Sequence, residues 1–166
     1  MTTYLYDRLV NGGKFQNCQV DKFLSLVDKN FNKSLEIGCG KGFFSYVAAK
    51  TGKVTEVAGC DVFNDFQVEE IGQYANKVEY KNIENNTVSY EDSTFDLVFS
   101  VDVLEHVEND AMFVKEHLRV CKKGGRVILG TPNYFRITSL PLYLLGKLNY
   151  PRDMGSDTYG RCVHLR

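Results

Sequence analysis

Little in this chain points to a bulk polyanion partner, a membrane span or an oxidised scaffold. Its 20 lysine and arginine residues meet 21 aspartates and glutamates, for a formal charge of −1. That balance leaves no general footprint for nucleic acid; it bears on bulk nucleic acid only, not on a small nucleic-acid substrate. No apolar run reaches the length of a bilayer-crossing helix. Five cysteines, Cys18, Cys39, Cys60, Cys121 and Cys162, form no C-x-x-C pair, and no leader-like stretch stands at the start. An odd count in such a chain reads as free thiols in a reducing compartment, and the expected location is cytoplasmic. No convincing metal-ligand set is present, and no metal is expected. The 166 residues are enough for one domain with a real core.

What the chain does have is Leu35-Glu36-Ile37-Gly38-Cys39-Gly40-Lys41-Gly42. Polar, helix-like sequence precedes it, and helical stretches alternate with short apolar runs after it, the rhythm of an α/β domain. Leu5, Leu9 and Val10 could form a short helical stripe before the turn signal Asn11-Gly12-Gly13. The spacing of Val20, Phe23, Leu24 and Val27 predicts a helix over Asn17 to Lys29. Strands are expected at Leu35 to Ile37, Val54 to Cys60, Val78 to Tyr80, Phe95 to Ser100 and Arg126 to Gly130. Helices are expected at Gly42 to Lys50, Phe66 to Tyr74 (capped by Asn64 or Asp65) and Asp110 to Cys121. The last of these should bury Met112, Phe113, Leu118 and Val120 and stop at Lys122-Lys123-Gly124-Gly125, leaving His117 solvated on a charged face.

Gly38, Gly40 and Gly42 fall where a strand must turn sharply into a helix, so that a ligand can touch backbone near unpaired helix N–H groups. Asp61 follows nineteen residues after Gly42, at the end of the next apolar run. An acid there is where a cofactor ribose is usually held. The other reading is a glycine turn that serves packing alone, with Asp61 a helix cap or a solvated strand end.

Glu36 to Gly42 resembles the first motif of the class I S-adenosylmethionine-dependent methyltransferases, an acidic residue followed by Gly-x-Gly-x-Gly. It differs from the dinucleotide fingerprint, because the third glycine comes one residue early and Phe43 stands at the dinucleotide glycine's place. Further segments follow in order: Asp61-Val62-Phe63, Asn82-Ile83-Glu84, Asp92 to Asp96 and Ser100 to Val107. The last resembles the small-molecule branch of the family. The resemblance implies a Rossmann-like three-layer α-β-α fold with a mostly parallel sheet and S-adenosyl-L-methionine as cofactor.

Roles follow from the same resemblance. Glu36 is expected to hold the methionine amino group; alternatively it accepts backbone N–H bonds from the glycine loop. Gly38, Cys39, Gly40 and Gly42 form the turn under the cofactor, and a side chain at Gly38 or Gly40 would collide with it or with the turn. Asp61 would accept both ribose hydroxyls. Val62 and Phe63 flank the adenine, unless Phe63 is a core aromatic. Asn82 stands where the family commonly has Asp, with an amide oxygen still able to accept from the adenine amino group, and Ile83 packs on the ring. Ser100 and Val101 would line the sulfonium. Asp96 is expected to be structural. His106 and Glu105 are the catalytic candidates, to orient an acceptor hydroxyl or take its proton, with a helix-start role as the alternative. Tyr4, Tyr6 and Phe15 are candidates to lie over the cofactor.

Three regions are expected: 1–34 helical, 35–133 the cofactor-binding core, and 134–166 an apolar lid or substrate cover. Five strands are clear where the family's sheet resembles seven, so the C-terminal antiparallel hairpin is expected to be missing and the chain to be shortened. The apolar stretch 137–148 could cover the sheet, meet a lipid-like acceptor or touch a membrane surface, and a homodimer could cover the sheet edge. The expected partner is a small-molecule or lipid-like acceptor, with nucleic acid disfavoured by the absence of an Asn/Asp-Pro-Pro-aromatic motif. Three rival readings remain: an inactive cofactor-binding pseudo-enzyme or regulatory subunit, an NAD-linked oxidoreductase, and a methyltransferase acting on a polypeptide or nucleic acid.

Overall fold

A computed structural model describes residues 4–83, 87–131 and 144, apart from the side chains of Lys14 and Phe15. The calls on Phe15, Glu84, Cys162 and, Leu144 apart, the stretch 134–166 with its apolar segment at 137–148 therefore lie outside the described side chains or residues.

Five strands form one sheet: β1 (Phe31–Ile37), β2 (Val54–Asp61), β3 (Lys77–Asn82), β4 (Phe95–Val101) and β5 (Cys121–Gly130). The order is β3-β2-β1-β4-β5 and every pairing is parallel. The chain runs outward from β1 to β3, then crosses back to place β4 on the other side of β1. That reversal puts a switch point between β1 and β4, at the carboxyl ends of their strands. The α/β architecture expected from the alternation is present.

Parallel strands are buried on both faces, which is why β4 reads as Phe-Asp-Leu-Val-Phe with little polar relief. Along β1 the pleat sends Leu35 and Ile37 to one face and Ser34 and Glu36 to the other. Leu35 and Ile37 pack with Val98, Phe95 and Val120. On the opposite face Val57, Leu97 and Phe99 pack with Phe23, Phe43 and Val47. The helices α1 (Tyr4–Asn11), α2 (Lys14–Leu26) and α3 (Phe43–Lys50) supply that second layer, while α5 (Asp110–Val120) covers the first face. Phe23 sits between Phe44 and Phe99 with ring centroids 5.2 and 4.9 Å away, fastening α2 through α3 to the sheet.

Several expectations are corrected. The strand β1 begins at Phe31, four residues before Leu35, because Phe31 pairs with Val54 and Lys33 with Glu56. The helix α2 spans Lys14–Leu26, so it starts and ends three residues early. In α1, Leu5 is buried but Val10 is exposed. The expected Phe66–Tyr74 helix shrinks to α4 (Val68–Ile71), which has no side-chain cap from Asn64 or Asp65. Phe66 instead stacks on Tyr80, outside any helix. The Lys122-Lys123-Gly124-Gly125 run lies within β5, at an irregularity where the register against β4 shifts.

The largest correction concerns α5. His117 is completely buried, whereas Met112 and Leu118 are 48% and 62% exposed. The inward face is Phe113, His117 and Val120, at spacings of four and three. The imidazole packs on the Phe113 ring with centroids 4.5 Å apart and its Nδ1 lies 2.8 Å from the Phe113 carbonyl.

At the far end of the sheet, Asp96 is structural, as expected. One oxygen accepts the Lys33 backbone N–H at 3.0 Å and the other the Lys122 ammonium at 2.8 Å.

Candidate functional site

A groove of about 740 Å³ opens at the carboxyl ends of β1, β2 and β4. Its floor is the turn from β1 into α3. Gly38, Gly40 and Gly42 all have positive φ, at 73°, 48° and 83°. The reasons for glycine differ by position. A Cβ on Gly38 would lie 2.5 Å from a methyl of Val103, so the turn is pressed against the segment after β4. A Cβ on Gly40 would meet no protein atom within 4 Å. Of the two obstacles expected for a Gly40 side chain, the turn is not one; its backbone conformation and the open groove are what call for glycine there. A Cβ on Gly42 would strike Phe66 and Ile71, away from the groove.

Two acids face this floor. Glu36, one residue before the end of β1, is almost wholly buried, and its Oε2 accepts the backbone N–H of Ser45 in the first turn of α3 at 3.0 Å. It takes that bond from the helix, not from the glycine loop. Burial pushes its carboxyl up to about 7, against the Ser45 hydrogen bonds that hold it down. Asp61 ends β2 and is 8% exposed. Its Oδ2 accepts the Gly40 N–H at 2.7 Å and its Oδ1 the Phe63 N–H at 3.1 Å. Each oxygen keeps acceptor capacity beyond that bond. The carboxylate is thus aimed and held by backbone, which is neither a helix cap nor a solvated strand end.

The groove wall includes Glu36, Gly38, Cys39, Gly40, Asp61, Val62, Phe63, Ile83, Val101 and His106. Ten of the residues singled out from sequence thus share one cavity. Gly42, Asn82, Ser100 and Glu105 do not line it. Phe63 is 71% exposed and Val62 58% exposed, so Phe63 is not a core aromatic. Ile83 is anchored by its N–H to the Asp61 carbonyl at 2.8 Å. The Asn82 side-chain oxygen accepts the Tyr80 hydroxyl at 2.9 Å. Ser100 is buried beneath the groove, and its Oγ has no hydrogen-bond partner among the described residues. A short 3₁₀ turn, Leu104–His106, carries the remaining pair. Its Glu105 is buried, with Oε1 3.9 Å from the His106 Nε2.

Some wall residues carry no sequence signal for this place. Arg8 on α1 and Gln19 on α2 reach the groove because both helices pack across α3. The Arg8 guanidinium sits 4.5 Å over the Phe43 ring. The Gln19 amide donates to Asp102 Oδ2 at 3.0 Å, and Asp102 holds a left-handed φ of 56°. Tyr4 and Tyr6 do not line the groove; Tyr4 lies 4.2 Å from the Lys41 ammonium and Tyr6 lies 4.4 Å from that of Lys50. Acidic groups at 36, 61, 102, 108 and 116 against Arg8 and Lys41 give the groove a lining suited to a ligand with cationic and hydroxyl groups.

Residues 35–129 match the profile of a methyltransferase domain family. The chain is 34% identical over 112 residues to the chloroplastic tocopherol O-methyltransferase of Arabidopsis thaliana, which covers 63% of this chain and 31% of that protein. It is 31% identical over 118 residues to the ubiquinone biosynthesis O-methyltransferase of Pseudomonas entomophila, covering 69% of this chain and 49% of that one. The chain thus spans less than half the length of these curated relatives. Among solved structures, a putative methyltransferase from Bacillus halodurans superposes with a TM-score of 0.61 at 23% identity, covering 82% of this chain and 60% of the other, a likeness of fold.

Proposed function

The chain belongs to the class I S-adenosylmethionine-dependent methyltransferase domain family, and from that premise we propose that its groove binds S-adenosyl-L-methionine and that it methylates an oxygen, nitrogen or carbon of a small-molecule or lipid-like acceptor. The observation that carries this reading is Asp61, a buried carboxylate tethered by Gly40 and Phe63 N–H groups and facing the open space above Gly40. Such a carboxylate can accept from both members of a pair of vicinal hydroxyls, as the acid at this strand end does for a ribose in nucleoside-cofactor folds.

The residues present fit the cofactor. Gly40 leaves room for it, Asp61 would hold its ribose, and Glu36 would hold its amino group. Ile83 with Val62 and Phe63 would offer apolar surface to the adenine, and Val101 would line the sulfonium. When bound, S-adenosylmethionine supplies an electrophilic methyl group. The protein's share is then alignment and exclusion of water. His106 on the groove wall would orient an acceptor hydroxyl and take its proton, with Glu105 beside it. An amine acceptor would need less help of this kind.

The relatives' names include O-methylation of tocopherol and in ubiquinone biosynthesis and, for wheat phosphoethanolamine N-methyltransferase 1, N-methylation of phosphoethanolamine. Among the described residues no helix is long and apolar enough to cross a membrane. The described cysteines are free thiols, which fits a cytoplasmic location.

Calorimetric titration with S-adenosylhomocysteine and with NAD tests the reading. Binding of the former and not the latter is expected, together with transfer of labelled methyl to a phenol or amine in an acceptor panel. Binding of NAD alone would replace this function with an oxidoreductase, and cofactor binding with no transfer to any acceptor would favour a pseudo-enzyme.

A further inference from the structure

Arg119 stands near the end of α5 and does not itself line the groove, yet its guanidinium makes five hydrogen bonds to five different acceptor atoms. Nε and one terminal nitrogen grip both oxygens of Glu116, at 2.8 and 2.9 Å. That terminal nitrogen also reaches the Val88 carbonyl at 2.9 Å. The other terminal nitrogen takes the Tyr90 carbonyl at 2.8 Å and the Asp92 carboxylate at 2.7 Å. Arg is suited to this because its planar fork presents five fixed donors.

The segment so held is the one that carries the chain from β3 back to β4. Val88 is pinned from both sides: Arg119 takes its carbonyl, and Glu116, itself fixed by Arg119, accepts its N–H at 3.3 Å. Ser93, at a left-handed φ of 52°, donates its N–H to the Arg119 carbonyl at 2.9 Å, and Thr94 donates to the Val120 carbonyl at 2.8 Å. The Tyr90 ring meets Phe95 at 5.0 Å. Both Val88 and Glu116 line the groove, on the side where Ile83 also faces it.

We infer that Arg119 is a positioning residue for the nucleoside end of the groove: it fixes Val88 and Glu116 as part of the wall of the groove that Ile83, Val62 and Phe63 also line, so that cofactor affinity depends on a side chain that does not itself line it. This inference rests on the cofactor reading above. A wall of mixed apolar and carboxylate character must sit at one distance from the facing residues to grip a flat base. A loop released from α5 would lose that spacing while β4 and β5 stay paired. The clamp therefore acts on ligand affinity through pre-organisation.

The experiment uses Arg119→Lys, which keeps the charge and loses the fork, and Asp92→Asn at a carboxylate that is 75% exposed and cannot upset the core. Dissociation constants for S-adenosylhomocysteine and for adenosine are measured beside urea unfolding curves. R119K is expected to weaken both ligands by the same factor, on the order of tenfold, because charge-assisted hydrogen bonds to the wall are lost. D92N should weaken both by about two- to threefold, with an unfolding midpoint close to that of the parent. In turnover assays the cofactor KM rises while kcat and the acceptor KM hold. Parent-like affinity in both variants, or loss of unfolding midpoint with affinity intact, overturns the inference and leaves the cofactor reading standing. If the parent chain binds neither ligand, the cofactor reading falls and takes this one with it.

Discussion

Asp61 accepts the backbone N–H of Gly40 across a 2.7 Å hydrogen bond, tying the end of β2 to the turn that follows β1. One carboxylate thus shapes the turn and faces the groove. Asp61→Asn keeps an oxygen for Gly40 but loses the charge and one acceptor. We expect the dissociation constant for S-adenosylhomocysteine to rise on the order of tenfold to a hundredfold, measured by calorimetry, with a much smaller change in unfolding midpoint.

Glu36 should set stability and binding against each other. Its folded-state value of about 7 stands above its ordinary 4.5. Between those values the folded chain keeps a proton that the unfolded chain has released, so stability falls as pH rises through that window. The full effect is roughly 3 kcal/mol at most. Glu36→Gln removes the slope and leaves the ligand-free protein more stable at pH 8. Holding an ammonium requires the ionised form, so parent affinity for S-adenosylhomocysteine should climb with pH through about 7, while E36Q binds weakly at every pH. A parent affinity flat from pH 5.5 to 8 counts against the assignment.

His117 acts in the opposite direction. Burial pulls its imidazole below the usual 6.5, and Nε2 has no hydrogen-bond partner among the described residues. The unfolded chain therefore takes up a proton that the folded chain refuses, and this part of the stability is lost as pH falls below 6.5. His117→Leu fills similar space without a titrating group. Urea midpoints at pH 5 and pH 8 should differ less in H117L than in the parent.

Alanine at the two glycines separates turn from ligand. Gly38→Ala adds a left-handed strain of roughly 1–2 kcal/mol and an overpacking cost of about 1–3 kcal/mol against Val103. Gly40→Ala carries only the strain, since its Cβ meets no protein atom. Thermal unfolding should therefore rank G38A well below G40A. Ligand titration should show G40A weakened by more than its stability loss explains.

His106→Ala tests the proton acceptor. For a hydroxyl acceptor, kcat should drop on the order of a hundredfold with the S-adenosylhomocysteine dissociation constant unchanged. An unchanged kcat would restrict His106 to a structural role in the 3₁₀ turn.

The central strands and the glycine turn were legible because their residues obey local rules. A parallel strand reads as an apolar run, and a strand-to-helix turn at positive φ demands glycine. The place of Asp61 was legible because the apolar run of β2 stops at it. The phase of α5 was not. Met112 and Leu118 suggested one face, but an imidazole can be buried once its Nδ1 lies within hydrogen-bond distance of the Phe113 carbonyl, and that exchange is invisible without the neighbours. Arg8 and Gln19 were hidden for a different reason. Their place in the groove depends on how α1 and α2 cross α3, which side-chain pattern alone does not determine. Asp102 at a left-handed φ is likewise a product of the tight passage after β4, where its N–H is taken by the Gly130 carbonyl at 2.9 Å.

The abutment of Gly38 against Val103 reaches beyond the two positions. Loops after β1 and β4 come from distant parts of the chain, yet neither can be exchanged alone. A chimera that grafts the post-β4 loop of a relative with a bulkier residue at 103 would jam the first turn, and one that imports only the first turn inherits the same obstacle. Redesign of acceptor choice on this scaffold has to transplant both loops as a single cassette.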